Sequence, residues 1–257
     1  EAKDLVEGAP KEVKTGVKQS LHLFKGFWIV LWTFHQVSDS NKKKYVQNWC
    51  GQLLDIFQVR LEVFGGTIDD QFPALVVSNH ISWLDIHVLN AYLPLRFVAK
   101  KEVSTWPIFG VMAKKIRTLF IDRQTKGDSR NISNAIVEAF KDGDQICIFP
   151  EGTSSDGTKV LPFHSGLFQS VINTQVPCIP VAISYQSVKT KKISTAPAFI
   201  GEMSLLQSIQ STLRESPLVV RLDIGEPLVG MSDRKVLSDK AREVILLLRG
   251  ANNSAPK

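Results

Sequence analysis

From Val59 onward the chain alternates short apolar runs with longer stretches of helical period. The runs at 59–64, 74–78, 96–99, 118–121, 145–149, 178–185 and 218–224 have the length and composition of strands. Helical patterns lie between them at 83–93, 106–115, 129–141, 164–174 and 203–214, and a last one runs over 233–248. In 129–141, Ile132, Ala135, Ile136, Ala139 and Phe140 form one stripe, with Asp128 placed as a cap and Gly143 as a stop. This alternation predicts an α/β fold, a single domain with a mostly parallel or mixed sheet flanked by helices. Pro180, inside the run that starts at Cys178, predicts an edge position or a bulge.

The chain before Val59 reads differently. Residues 1–19 are polar, and 21–34 is apolar nearly all round a helix, with Trp28 and Trp32, followed by Lys42, Lys43 and Lys44. That stretch is shorter than the ~20 apolar residues of a spanning helix. Its tryptophans and the lysines after it favour an interfacial helix over one buried against the core. A second helix carries Val46, Trp49, Cys50, Leu53, Leu54 and Phe57 on one stripe, with Gln47, Asn48, Gln52 and Asp55 opposite. It can pair with the first helix on lipid or pack on the domain, and packing is the commoner use of such a stripe. The expected division is 1–58, a tail with a two-helix membrane-associating segment, and 59–257, the α/β domain.

Composition narrows the partners. The chain has 257 residues and a formal net charge of +6, which suits an anionic membrane or a phosphorylated lipid. Nucleic acid is not expected, because no helix-turn-helix, RNA-binding aromatic block or zinc spacing is present. Cys50, Cys147 and Cys178 are scattered and read as reduced core residues. No His-Glu-x-x-His, Walker loop or dinucleotide fingerprint occurs, so no metal and no bound cofactor are expected.

Candidate chemistry collects just after the strand runs. Ala74-Leu75-Val76-Val77 leads into Ser78-Asn79-His80-Ile81-Ser82-Trp83-Leu84-Asp85. A neutral imidazole can take a proton, and a carboxylate can orient it and support its charged form. On one continuous helix five residues turn through about 500°, leaving the two side chains about 140° apart. His80 and Asp85 therefore meet only if His80 lies in the loop and Asp85 in the first helical turn, with Ser82 as the expected N-cap. Taken singly, a His after a strand is more often a structural hydrogen-bonder. Gln145-Ile146-Cys147-Ile148 leads into Phe149-Pro150-Glu151-Gly152-Thr153, where Glu151 can accept from a hydroxylated substrate and Gly152 permits close backbone approach. A tight turn with an exposed Glu is the plain alternative. Leu119-Phe120-Ile121 leads into Asp122-Arg123, where Arg123 can clamp a phosphate or form a surface pair with Asp122.

Asn-His-x-x-x-x-Asp, Phe-Ile-Asp-Arg, Phe-Pro-Glu-Gly-Thr and Val-Pro-x-x-Pro-Val, in this order, resemble the four blocks of the glycerolipid acyltransferases, and most closely the bacterial 1-acyl-sn-glycerol-3-phosphate acyltransferases. The resemblance runs from about Gln47 to about Ile183, and Val98-Ala99-Lys100-Lys101-Glu102 and Trp106-Pro107-Ile108-Phe109-Gly110 add to it. It implies that His80 is the general base, that Asp85 supports it, and that Lys101, Arg123, Glu151, Gly152 and Thr153 hold the acceptor head group. The implied reaction moves an acyl chain from acyl carrier protein or coenzyme A, as co-substrate, to the sn-2 hydroxyl of 1-acyl-glycerol-3-phosphate at the cytoplasmic face of the inner membrane. The acceptor supplies the nucleophile, and no Gly-x-Ser-x-Gly elbow is present. One departure stands out: Ser154 occupies a position where many members carry Arg. Arg117, Lys159 and His164 are candidates to compensate, and another lysolipid such as lyso-ornithine lipid is the alternative acceptor. A hydrolase and a non-catalytic lipid-binding protein are the rival readings.

Overall fold

The computed structural model describes residues 38–105, 109–122 and 128–253. The expected helix at 21–34 and Arg123 lie outside them. Each expected run falls on a strand: β1 (Val59–Gly65), β2 (Ala74–Ser78), β3 (Arg96–Lys100), β4 (Leu119–Ile121), β5 (Gln145–Ile148), β6 (Cys178–Ser187) and β7 (Leu218–Ile224). The helices are α1 (Asp39–Ile56), α2 (Asp85–Tyr92), α3 (Phe109–Lys115), α4 (Asp128–Lys141), α5 (Gln169–Thr174), α6 (Leu205–Glu215) and α7 (Arg234–Asn253).

The strands form one sheet in the order β1-β7-β6-β2-β5-β3-β4. Only β6 and β7 run antiparallel, from Val181 opposite Ile224 to Ser187 opposite Leu218. The other neighbours are parallel, with Val76 level with Cys147 on β5 and Ile179 on β6. Both faces of the sheet are covered, which is why its strands read as unbroken apolar runs. Ala74, Val76 and Cys147 face a core shared with α1, α2 and α6. Leu75, Val77, Ile146 and Ile148 face a second core shared with α4, α5 and α7. The pleat sends successive side chains to opposite sides, so β2 feeds both cores.

This topology places the site. After β2 the chain crosses to β3 through α2 on the first face. After β5 it returns over β2 to β6 through α5 on the second face. The neighbouring strands β2 and β5 thus send their connections to opposite sides, and the carboxyl ends of strands that divide in this way are where open α/β sheets place their ligands.

Three expectations change. Pro180 sits in an interior strand, level with Val77. Its carbonyl accepts from Gly225 N at 2.8 Å, while the ladder to β7 begins only at Val181. A residue's N–H and C=O point to the same side of a strand, so the missing donor falls where no ladder bond is required. Gln47 is not on a solvated face, because its side-chain nitrogen donates to Ala91 O at 3.3 Å and Tyr92 O at 2.8 Å. Those are orphan carbonyls at the end of α2, so α1 caps its neighbour as it packs. Around that contact Cys50, Leu53, Leu54 and Phe57 are buried. The 82–93 segment also differs: α2 starts at Asp85, and Ser82 Oγ accepts from Leu84 N at 3.1 Å in the turn before it.

Candidate active site

The loop after β2 is fixed from its first residue. Asn79 is fully buried and pairs with β6 through its side chain: Nδ2 donates to Ile183 O at 3.1 Å, and Oδ1 accepts from Ile183 N at 2.8 Å. The amide thus continues the ladder for a chain that is leaving the sheet. His80 comes next, held on several sides. Its N–H donates to Glu151 Oε1 at 2.7 Å, and its carbonyl accepts from Ser155 N at 2.8 Å. Its ring stacks on Phe149 with centroids 4.1 Å apart, and Phe97 stacks behind Phe149 at 6.0 Å.

The structure brings His80 and Asp85 together, with Nδ1 2.8 Å from Asp85 Oδ2. An ionised carboxylate only accepts, so Nδ1 carries the hydrogen and Nε2 is left with a free lone pair. The side chain of His80 is 21% exposed and that of Asp85 is fully buried. Oδ2 also accepts from Ile81 N at 2.7 Å and Ser82 N at 2.9 Å, while Oδ1 accepts from Tyr185 Oη at 2.7 Å. At the first residue of α2 the carboxylate also faces the positive end of the helix. Burial, then the charge of Asp85, pushes the Cys147 thiol well above its ordinary range, so it stays a neutral core residue beside the pair.

Glu151 is placed differently from the acceptor contact expected of it. It is 4% exposed, and its two oxygens take backbone donors, His80 N on Oε1 and Leu161 N on Oε2, both at 2.7 Å. It thereby braces the backbone of His80 against that of Leu161. Burial raises its carboxyl above the usual range, partly offset by those two hydrogen bonds and by His80 and Arg249 nearby. Gly152 adopts φ +75°, with its N–H donating to Phe149 O at 3.1 Å, a conformation that favours glycine. Thr153 is exposed, and Ser154 Oγ donates to the Phe199 carbonyl.

Lys101 follows β3 on the same carboxyl edge, with Nζ 3.2 Å from Asp122 Oδ2. The ammonium is mostly exposed, so this pair is a weak tie. Arg117 does not serve the site: it pairs with Asp142 and Asp144 before β5, at the opposite edge of the sheet. Lys159 and His164 are exposed on the loop after Glu151. Sequence reading missed the residues that hold this loop. Arg242 of α7 donates to Leu161 O at 2.9 Å and Val160 O at 2.7 Å. Arg249, seven residues on, donates to the Gly157 carbonyl. Their spacing puts both on one side of α7, the one signal that was available. Among the described residues no group of three or more His, Cys, Asp and Glu side chains is arranged to hold a metal.

An imidazole nitrogen backed by a buried carboxylate, with no serine or cysteine hydrogen-bonded to the ring among the described residues, suits removal of a proton from a bound hydroxyl. Comparison with known proteins gives this site a class. Residues 60–184 match the family model described as Acyltransferase. The lyso-ornithine lipid O-acyltransferase of Pseudomonas aeruginosa is 35% identical over 207 residues, 80% of this chain and 78% of that protein. The 1-acyl-sn-glycerol-3-phosphate acyltransferase of Neisseria meningitidis is 32% identical over 195 residues, 75% of this chain and 76% of that protein. The crystal structure of the 1-acyl-sn-glycerophosphate acyltransferase PlsC from Thermotoga maritima shares the fold, with a TM-score of 0.63 at 21% identity, over 95% of this chain and 100% of that one. The chain belongs to the acyltransferase family and is an O-acyltransferase.

Proposed function

We propose that the chain moves an acyl group from a thioester, on acyl carrier protein or coenzyme A, to the free hydroxyl of a lysolipid. The observation that carries this reading is the His80–Asp85 pair, with Nδ1 committed to the carboxylate and the lone pair left on Nε2. Nε2 removes the hydroxyl proton as the oxygen attacks the thioester carbonyl. The tetrahedral oxyanion collapses and expels the thiolate, which takes the proton back from the imidazolium. An ester and a free thiol result, and Asp85 supports the imidazolium while it exists.

The proposed acceptor is 1-acyl-glycerol-3-phosphate, acylated at its sn-2 hydroxyl to give phosphatidate. Lys101, Gly152 and Thr153, with Arg123, are assigned to its head group, and Glu151 acts through the loop. Lyso-ornithine lipid is the second reading. Ser154 favours it, because its hydroxyl is turned to the Phe199 carbonyl and it supplies no cation. The enzyme is assigned to the cytoplasmic face of the inner membrane, held by the apolar, tryptophan-bearing 21–34 stretch and the lysines that follow it. No described helix is long and apolar enough to cross a membrane.

The test is acyl transfer by purified protein in mixed micelles, with an acyl thioester and either 1-acyl-glycerol-3-phosphate or a panel of other lysolipids. His80→Ala should lower the rate by about 10²–10⁴-fold while the fold survives. Unchanged activity in that variant sinks the mechanism. A preference for lyso-ornithine lipid replaces the first acceptor with the second. Thioester cleavage that needs no acceptor makes the chain a hydrolase.

A further inference from the structure

Behind the His80–Asp85 pair lies a third group that the proposed chemistry does not yet use. Tyr185, on β6, is 1% exposed, and its hydroxyl reaches Asp85 Oδ1 at 2.7 Å. The two carboxylate oxygens have divided tasks. Oδ2 takes His80 Nδ1, Ile81 N and Ser82 N, whereas Oδ1 takes Tyr185 only, among the described residues. The backbone donors fix where Oδ2 sits, and the phenol fixes the rotation of the carboxylate about that point.

We infer that Tyr185 is a positioning residue of the catalytic pair: its hydroxyl holds the Asp85 carboxylate in plane with His80 and sets how strongly that carboxylate attracts the His80 proton. This rests on the reading of His80 as the base. Strand β6 makes the placement possible. It runs on past the end of β2, where Ser78 is level with Val181, and stays paired with β7, where Tyr185 is level with Val220, so Tyr185 comes from a strand rather than from a loop. Asn79 ties the catalytic loop to Ile183 of the same strand, two residues before Tyr185. One strand therefore holds both the start of the loop and the back of the pair. Burial, then the Asp85 charge and the hydrogen bond to it, pushes the phenol well above its ordinary range, so it remains a neutral donor.

The sign of the effect follows from this geometry. The donated hydrogen stabilises the ionised carboxylate and dilutes its pull on the imidazole. Without it Asp85 becomes more basic, the protonated form of His80 is favoured, and a higher pH is needed to free the base. The other titratable groups around the pair are Cys147 of β5 and Glu151 after β5, with Arg249 of α7 beside Glu151. All three are present unchanged in the variants below.

The experiment compares the pH dependence of kcat and kcat/KM for wild type, Tyr185→Phe and His80→Ala, using an acyl-coenzyme A donor and the acceptor the wild type prefers. The hydrogen bond is charge-assisted, so Tyr185→Phe should lower kcat about tenfold and move the acid limb up by about one pH unit, with KM values held within about twofold. A second protein carries 3-fluorotyrosine at position 185, introduced by stop-codon suppression. It keeps the ring and the hydroxyl but is a stronger donor, and its acid limb should move down. Thermal melting establishes that each variant is folded, and the fluorinated protein decides the matter if the phenylalanine variant is not. Wild-type acid limbs in the folded variants overturn the inference and leave the proposed function standing, provided His80→Ala is inactive. Full activity in His80→Ala overturns both.

Discussion

Replacing Asp85 separates what its charge does from what its shape does. In Asp85→Asn the amide oxygen can stay where Oδ2 is, still accepting from His80 Nδ1, Ile81 N and Ser82 N. The amide nitrogen then faces Tyr185, whose oxygen can turn from donor to acceptor. Every partner keeps a hydrogen bond, so the domain should fold. What disappears is the negative charge beside the imidazolium, where Nδ1 lies 2.8 Å from Oδ2. Taking the charge centres as about 4 Å apart at an effective dielectric of about 20, the lost attraction is about 4 kcal/mol. That corresponds to a fall in kcat of about 10³-fold. Asp85→Ala should behave quite differently. It strips the acceptor from Ile81 N, Ser82 N and Tyr185 Oη at about 1–3 kcal/mol each, a large part of the ~5–15 kcal/mol margin of a typical domain. The assay pairs acyl transfer in mixed micelles with urea unfolding. A folded Asp85→Asn protein within tenfold of wild-type kcat would refute the electrostatic argument. An alanine variant as stable as wild type would refute the accounting of its partners.

Two further outcomes are expected. Glu151→Gln leaves an amide nitrogen against His80 N or Leu161 N, and urea unfolding at pH 7 should show a loss of about 1–3 kcal/mol. Because the folded state raises the Glu151 carboxyl, the stability linked to it is complete below its ordinary value near 4.5 and is lost as pH rises through the folded value; the gap between wild type and variant should narrow over that window, and a widening gap refutes the assignment. Gly157→Ala puts a Cβ 3.0 Å from Ile81 Cδ1 at φ +81°, so melting should show a loss of about 1–2 kcal/mol, and an unchanged midpoint refutes the close approach.

The fold was readable because buried strands in an α/β domain need unbroken apolar runs, and this chain sets them apart with helical stripes. The Asn79–Asp85 segment was readable as a place for chemistry because His and Asp there cannot share a helix face and must meet across a turn. Three features escaped for physical reasons. The edge expectation for Pro180 failed because one missing donor matters only on the side where a ladder exists, and sequence does not give the side. Glu151 looked like a substrate contact because a carboxylate after a strand looks the same whether it turns outward or inward to two backbone N–H groups. Tyr185 was invisible because 100 residues separate it from Asp85, and only the order of strands brings β6 beside β2.

The loop after β5 holds both inward and outward positions. Glu151 and Ser155 are tied to the backbone of the base, while Thr153 is exposed and Ser154 is half-buried at the rim. On the proposed reading, support of the base and contact with the acceptor fall to residues of one short segment, under opposite constraints. The inward positions tolerate little change, since any loss there shifts His80. Thr153, exposed between those two ties, can change in size and charge without breaking either. On that reading a substitution at Thr153 changes the acceptor while the proton-transfer pair stays intact, and that position is where an engineer would begin to retarget the enzyme.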